Sequence, residues 1–247
     1  MKNKHFVYLF ALVAMGACRT PMAVSTINAN KNISVAANIQ EDKKFVETII
    51  PYKNSLERQM NEKISYTAVE LNKSGMNSNL GNLLADYTYD VARDWAGKNN
   101  IPQVDAAVIN IGGIRSIISK GDIALKHIFE VMPFENEIVI VEMKGSDVGD
   151  IFQYYLKTQK NNPVSRLSIE TEKGQLTKAL INGENINPNK TYYIATSDYL
   201  ALGGDNMKFF SKGKMITTGL KLRDAFIEKF KQTPEVAVPT DIRINFK

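Results

Sequence analysis

The sequence predicts a mixed domain of the α/β or α+β class, because segments with helical spacing and short strand-like segments alternate along residues 44–247. Of the 247 residues, 44% are hydrophobic and 23% are charged, a composition that supplies a sizeable core. Turn residues, such as NPNK at positions 187–190, separate the apolar segments. The length fits one large domain or two small ones.

The elements follow from their spacing. Apolar residues recur at helical intervals from Lys44 to Met60, with Pro51 as a possible break. Residues 65–71 alternate as a strand does, and residues 78–100 form an amphipathic helix whose large apolar side chains share one face. Further strands are predicted at 104–110, 137–143, 166–170, 177–183, 191–197 and 241–246, and further helices at 146–160 and 219–232.

The N-terminus is predicted to be a signal peptide, because Lys2 and Lys4 precede an apolar run from Phe6 to Ala17 that is too short to span a membrane. The residues before Cys18 resemble a bacterial lipobox, which implies cleavage after residue 17, lipid attachment to Cys18 and a place on the bacterial cell envelope. The alternative is an ordinary cleaved signal with an incidental cysteine. Residues 18–43 are predicted to be a flexible tether, and a lone cysteine excludes an intrachain disulfide.

Several classes of function are disfavoured. The net charge of +5 is spread along the chain, so no nucleic-acid surface is predicted. The histidines are His5, in the predicted signal peptide, and His127, so the usual di-metal phosphoesterase site cannot be built. No Gly-x-Ser-x-Gly motif, Walker loop or Gly-x-Gly-x-x-Gly fingerprint is present.

The loop NIGGIR follows the predicted strand 104–110 and is the first candidate site. Gly112 and Gly113 let the backbone approach a ligand closely, and Asn110 stands at the strand exit. Arg115 supplies a planar fork that suits phosphate or carboxylate. Taken alone, the loop also fits a tight turn with a surface arginine.

Two other loops carry aromatic residues. In MPFEN, Phe134 could stack on a base and Asn136 could bind a base edge; the alternative is an aromatic core plug. In SDYLALGGDN, Tyr199 precedes Gly203–Gly204, and Asp205 could accept from sugar hydroxyls; the alternative is a glycine turn capped by Asp205. Together the three loops contain the parts of a nucleotide pocket.

The segments SNLGNLLADY, NIGGIR, GDIALKHIFEVMPFEN, VEMKG and SDYLALGGDN occur in the order and spacing of one family. They resemble the C-terminal, substrate-binding domain of 5′-nucleotidases and UDP-sugar hydrolases, and the resemblance covers residues 44–247. It implies a single domain with a layered α/β/β/α arrangement. In that family a separate N-terminal domain holds two metal ions and performs the hydrolysis.

The resemblance also implies roles for residues. Phe134 and Tyr199 would sandwich the base, and Asn136 would touch its edge. Asp205 would bind the ribose. Arg115 and Asn110 would lie near the phosphate.

Two positions depart from the family. Where members often have a phosphate-binding arginine, this chain has Ser74 beside Lys73. Asn206 replaces a glycine, although asparagine tolerates a left-handed backbone. The family's metal-ligand motif is also missing, so we expect divalent metals only in a separate catalytic part and no cofactor in this chain.

The sequence therefore leaves two main hypotheses, beside a third reading in which the domain keeps the family fold only as an interaction scaffold. In the first, this chain is the nucleotide- or nucleoside-binding part of a split 5′-nucleotidase, working with a separately encoded metallophosphoesterase chain. In the second, it is a non-catalytic nucleotide-binding lipoprotein of the envelope.

Overall fold

A computed structural model describes residues 40–247, together with Val24, Thr26 and Asn32. The predicted signal peptide at 1–17, the predicted lipidation site Cys18 and most of the predicted tether at 18–43 lie outside the described residues. The chain divides into two compact units, Met1–Thr48 and Ile49–Lys247. In the described part of the chain, no helix is both long enough and apolar enough to cross a bilayer.

The helices are α1 (Lys43–Met60), α2 (Asn79–Lys98), α3 (Leu125–Val131), α4 (Gly145–Thr158), α5 (Asp198–Ala201) and α6 (Leu222–Lys231). The strands are β1 (Lys63–Thr67), β2 (Ala106–Val108), β3 (Gly121–Ala124), β4 (Glu137–Lys144), β5 (Val164–Ser165), β6 (Leu167–Glu172), β7 (Gln175–Ile181), β8 (Glu184–Asn185), β9 (Thr191–Ser197), β10 (Lys214–Lys221) and β11 (Ile244–Phe246). Short 3₁₀ turns cover Ile111–Gly113, Gly204–Asn206 and Lys208–Lys212.

Three sheets form. The central sheet has the strand order β10-β4-β9-β2-β5, a four-stranded sheet has the order β11-β6-β7-β8, and β1 pairs with β3. The central sheet is mixed, because β2 and β9 are parallel while β4 runs antiparallel to β9. This arrangement confirms the predicted mixed α/β class.

The central sheet is buried on both faces. Along β4, Ile138 and Ile140 point into a core shared with α2 and α6, whereas Val139 and Val141 point into a second core. The second core is completed by α4 and by the inner face of the four-stranded sheet. Because side chains alternate along a strand, the apolar run of β4 can fill both cores at once.

Several local expectations were wrong. Helix α1 continues through Pro51 instead of breaking there. The strand predicted at 65–71 ends at Thr67, where the Thr67 hydroxyl bonds to the Val69 main chain. Strands β3, β5, β8 and β10 were not predicted, and the closing helix begins at Leu222 rather than near 219, because the preceding residues belong to β10. The outward residues of β10 are exposed, since it is an edge strand, so its sequence lacks a strong apolar signal.

A buried arginine ties the last strand to the rest of the fold. The side chain of Arg243 is 9% exposed, and its guanidinium donates to both carboxylate oxygens of Asp86 on α2, at 2.8 and 2.7 Å. It also donates to the Val164 carbonyl on β5 at 2.7 Å and to the Asp241 carboxylate at 2.7 Å. These bonds join the segment before β11 to helix α2 and to strand β5 of the central sheet.

We predict that Arg243→Met lowers the free energy of unfolding by about 3–5 kcal/mol, because the partly buried Asp86 carboxylate would lose its counter-ion. Chemical denaturation of both proteins would measure the difference. The matched control is Arg93→Met, whose exposed ion pairs with Asp90 and Asp94 should contribute about 1 kcal/mol or less. Equal losses in the two variants would contradict the prediction.

Candidate functional site

The strand pairing brings the three candidate loops to one edge of the central sheet. Strands β2 and β9 are parallel, so NIGGIR and SDYLALGGDN both leave the sheet at that edge. Ile138 pairs with Ser197, so the start of β4, and MPFEN before it, lie beside the end of β9. Loops far apart in sequence are therefore neighbours in space.

In NIGGIR, the backbone turns in the 3₁₀ segment Ile111–Gly113, closed by a bond from the Gly113 amide to the Asn110 carbonyl at 3.1 Å. A side chain at Gly113 would meet the Asn110 amide, since a Cβ there would lie 3.1 Å from Oδ1. The glycine thus leaves room for Asn110 to fold over the turn. Gly112 and Arg115 are both exposed.

Arg115 is anchored through its main chain, whose amide donates to the Val131 carbonyl at 2.8 Å. Its guanidinium donates to the Gly112 carbonyl at 3.3 Å, and the Cζ atom lies 6.0 Å from the centroid of the Phe134 ring. The arginine of the first loop and the aromatic ring of the second are therefore brought together. The exposed guanidinium retains donors for an anion.

A second cation lies beside this loop. The Lys73 ammonium donates to the Ile114 carbonyl at 2.6 Å, one residue before Arg115. Ser74 is exposed and bonds through its amide to Asn72. Lys73 therefore supplies positive charge next to NIGGIR, although without the two-pronged geometry of an arginine.

In MPFEN, the side chain of Phe134 is 45% exposed, an unusual position for a large apolar ring. This exposure excludes the alternative of a core plug. The Asn136 side-chain nitrogen donates to Asp198 Oδ1 at 2.9 Å, and the Asn136 main-chain carbonyl accepts from the Leu222 amide at 2.9 Å. The bond to Asp198 fixes which end of the amide is the donor.

In SDYLALGGDN, Tyr199 is 43% exposed and is tied to Asp205 by two bonds. The Tyr199 hydroxyl donates to Asp205 Oδ1 at 3.2 Å and accepts from the Asp205 amide at 3.2 Å. A Cβ at Gly204 would lie 2.5 Å from the Tyr199 ring, so glycine is required for this contact. Asp205 and Asn206 both have a left-handed backbone, with φ of 51° and 64°.

A buried pair of side chains lies behind the exposed loops. Asn162, with no exposed surface, accepts from the Ile111 amide at 3.0 Å and donates to the Tyr154 hydroxyl at 3.2 Å. The Tyr154 hydroxyl in turn donates to the Asp205 carbonyl at 3.1 Å. Burial raises the pKa of Tyr154, and the Asp205 carboxylate raises it further, so the phenol stays protonated as a donor.

Sequence reasoning missed Asp198, Asn162, Tyr154 and Arg223. The Arg223 guanidinium, on α6, pairs with Glu135 and donates to the Pro133 carbonyl at 3.2 Å. These two contacts attach MPFEN to α6. The side chain of His127 accepts from the Ala124 amide at 3.0 Å at the start of α3. Asn162, Tyr154 and Arg223 lie outside the three loops and bind residues far away in the chain, so no local motif marks them. Asp198 lies within SDYLALGGDN, but its partner Asn136 is 62 residues away.

The described residues contain no group of three or more His, Cys, Asp or Glu side chains arranged to hold a metal ion. A polar cavity of about 570 Å³ lies away from the three loops, beside Asp86, Tyr89 and Arg243. Its Asp86 and Arg243 charges already neutralise each other.

Comparisons with known proteins agree with the motifs. The chain is 28% identical over 215 residues to the trifunctional nucleotide phosphoesterase protein YfkN of Bacillus subtilis, covering 76% of this chain and 14% of that protein. It is 26% identical over 213 residues to protein UshA of Escherichia coli, covering 81% of this chain and 37% of that protein. The chain thus spans well under half of the length of either relative.

Solved structures share the fold. A 5′-nucleotidase precursor from Thermus thermophilus matches with a TM-score of 0.68 at 24% identity, over 81% of this chain and 42% of that one. An NAD nucleotidase from Haemophilus influenzae matches with a TM-score of 0.62 at 21% identity, over 83% of this chain and 41% of that one.

The family model described as the 5′-nucleotidase C-terminal domain matches residues 59–212, which is more than half of the chain and includes all three loops. On this match, the chain belongs to the family of 5′-nucleotidase C-terminal domains.

Proposed function

We propose that this chain binds the nucleoside part of a nucleotide and presents its phosphate to a di-metal centre on a separately encoded metallophosphoesterase chain. The chain would then bind the substrate in nucleotide dephosphorylation, while the other chain performs the hydrolysis. The observation that carries the proposal is the grouping of Arg115, Phe134, Tyr199 and Asp205 at one edge of the central sheet.

The residue chemistry supports a nucleotide as the ligand. The rings of Phe134 and Tyr199 are each nearly half exposed, so both can stack on a base without unfolding a core. Asn136, with its amide held by Asp198, would contact the base edge. The Asp205 carboxylate, held by Tyr199, would accept from ribose hydroxyls.

The phosphate would lie at the NIGGIR loop. Arg115 supplies positive charge, as does the Lys73 ammonium bonded to the Ile114 carbonyl, and Asn110 folds over the glycine turn. The exposed Gly112 adds no side chain to the surface of this loop. An anion bound here would be attracted by both cations, and the arginine would set its orientation.

The partner, the metal ions and the location are parts of the same proposal. The metallophosphoesterase chain would bring the divalent ions, and this chain would hold no cofactor. The lipobox resemblance supports attachment to the envelope through a lipid on Cys18, on the side of the membrane where secreted proteins reside.

The proposal is tested by mixing the full chain with a metallophosphoesterase chain from the same organism. We expect co-purification and a gain in AMP hydrolysis that neither chain shows alone. The same mixture with Asp205→Ala should associate but lose the gain. Nucleotide binding without association or a gain would overturn the split enzyme and favour the non-catalytic binding lipoprotein. If AMP, adenosine and UDP-glucose all fail to bind, nucleotide binding itself is wrong.

We predict that Phe134→Leu and Tyr199→Leu each weaken AMP binding by about 1–3 kcal/mol, because each removes an aromatic face against the base. Calorimetric titration of the purified variants would measure the loss. Phe134 is exposed, so the melting temperature of Phe134→Leu should change little, whereas Tyr199→Leu also loses two hydrogen bonds to Asp205 and should melt at a lower temperature. The matched control is Tyr52→Leu, which removes an exposed ring on α1 and should leave affinity unchanged. Unchanged affinity in both site variants would reject base stacking.

We predict that Arg115→Ala separates phosphate binding from nucleoside binding. The variant should bind AMP about tenfold more weakly, a loss of about 1.4 kcal/mol, because a charge-assisted contact disappears. Its affinity for adenosine should stay within about twofold, since that ligand carries no phosphate. Lys120→Ala, which removes an exposed cation farther along the chain, is the control. Equal losses for both ligands would place Arg115 elsewhere than at the phosphate.

A further inference from the structure

Asn162 is a fully buried polar side chain behind the candidate site, with no exposed surface. It lies in the segment between α4 and β5 and contacts two parts of the chain that are distant in sequence. Its Oδ1 atom accepts from the Ile111 amide at 3.0 Å, and its side-chain nitrogen donates to the Tyr154 hydroxyl at 3.2 Å. A buried amide is stable only when such bonds are made, so its orientation is fixed.

Tyr154 extends the connection to the opposite loop. Its hydroxyl accepts from Asn162 and donates to the Asp205 carbonyl at 3.1 Å. The ring is held in α4 by edge contacts with Tyr155 and Phe209, at centroid distances of 5.6 and 5.8 Å. A continuous series of hydrogen bonds therefore runs from Ile111 through Asn162 and Tyr154 to Asp205.

This series joins the two ends of the candidate site. Ile111 begins the 3₁₀ turn of NIGGIR, where the phosphate would lie, and Asp205 belongs to the loop that would hold the ribose. Asp205 has a left-handed backbone, an arrangement that costs a non-glycine residue free energy and needs support from its surroundings. The Tyr154 hydroxyl gives that support directly to the Asp205 main chain.

We propose that Asn162 and Tyr154 are positioning residues that set the separation between the anion loop and the sugar loop. The proposal rests on the proposed nucleotide binding. By holding both loops before the ligand arrives, the pair lowers the ordering cost of binding. The benefit is largest for a ligand that reaches both loops at once, a nucleoside monophosphate, and smaller for a nucleoside, which reaches one.

The test compares Tyr154→Phe with Tyr155→Phe in the full chain. Each substitution deletes one hydroxyl that is bonded to Asn162 and keeps the ring. The Tyr154 hydroxyl accepts from the Asn162 side-chain nitrogen at 3.2 Å, and the Tyr155 hydroxyl donates to the Asn162 main-chain carbonyl at 2.8 Å. Tyr155 makes no bond to Asp205 among the described residues, so it reports the purely structural cost of losing a hydroxyl. Calorimetry with AMP and with adenosine, beside thermal melting, gives both affinity and stability.

We expect Tyr154→Phe to bind AMP about tenfold more weakly, a loss of about 1.4 kcal/mol. Its affinity for adenosine should fall less than about threefold. Tyr155→Phe should lose stability and keep both affinities. The double variant Arg115→Ala/Tyr154→Phe should bind AMP with nearly the same affinity as Arg115→Ala alone. Once the contact between Arg115 and the phosphate is lost, the position of the anion loop no longer affects binding.

The results separate the positioning role from nucleotide binding itself. If wild-type protein binds AMP and Tyr154→Phe binds it equally well, the positioning role is overturned while nucleotide binding stands. The positioning role is also overturned if the two variants weaken AMP binding to the same extent, and each weakens adenosine binding as much as AMP binding. If the wild-type protein binds neither ligand, the proposed function is overturned, and the positioning role with it.

Discussion

The pairing of β9 with β2 on one side and β4 on the other is the constraint on which the candidate site depends. Because β2 and β9 are parallel, the loops that follow them leave the sheet at the same edge. Because β4 is antiparallel to β9, the start of β4 lies at that edge as well. Asp105 secures the opposite end of the pairing, since its carboxylate accepts from the Tyr193 amide at 2.9 Å and pairs with Lys190 at 2.8 Å. A shift of one residue in this register would exchange the side chains that fill the two cores and displace the loops relative to one another.

The exposed site is supported by bonds that are mostly buried. Phe134, Arg115 and Tyr199 project from the edge, while Asn162 and Tyr154 hold NIGGIR and SDYLALGGDN from behind and Arg223 holds MPFEN. This division explains why large rings can remain exposed without loosening the fold. The packing free energy comes from the two cores on either face of the central sheet, so the edge residues are free to serve a ligand.

The sequence predicts the loops better than it predicts their supports. NIGGIR and GGDN combine glycines with polar residues at strand exits, a local pattern that needs no knowledge of the fold. Arg223 and Asn162 have no such pattern, because their partners Glu135 and Ile111 lie 88 and 51 residues away. Strand β10 was missed for a related reason: its place at the sheet edge leaves alternate residues exposed, so pairing rather than burial defines it. Tertiary partners, unlike turns, are decided only when the sheet is assembled.

The two ends of the site differ in exposure, and this difference bears on how a phosphate would be handled. Asp205 is partly covered and held by two tyrosines, whereas Arg115 is exposed and held mainly through its main chain. A nucleotide bound by both would have its sugar against the more rigid loop and its phosphate toward solvent. That orientation is the one a metal centre on another protein surface would need, because the reacting phosphorus must stay accessible while the nucleoside is held still. Rigid support of the sugar loop and openness at Arg115 are then two requirements of the same task, met by a single arrangement of strands.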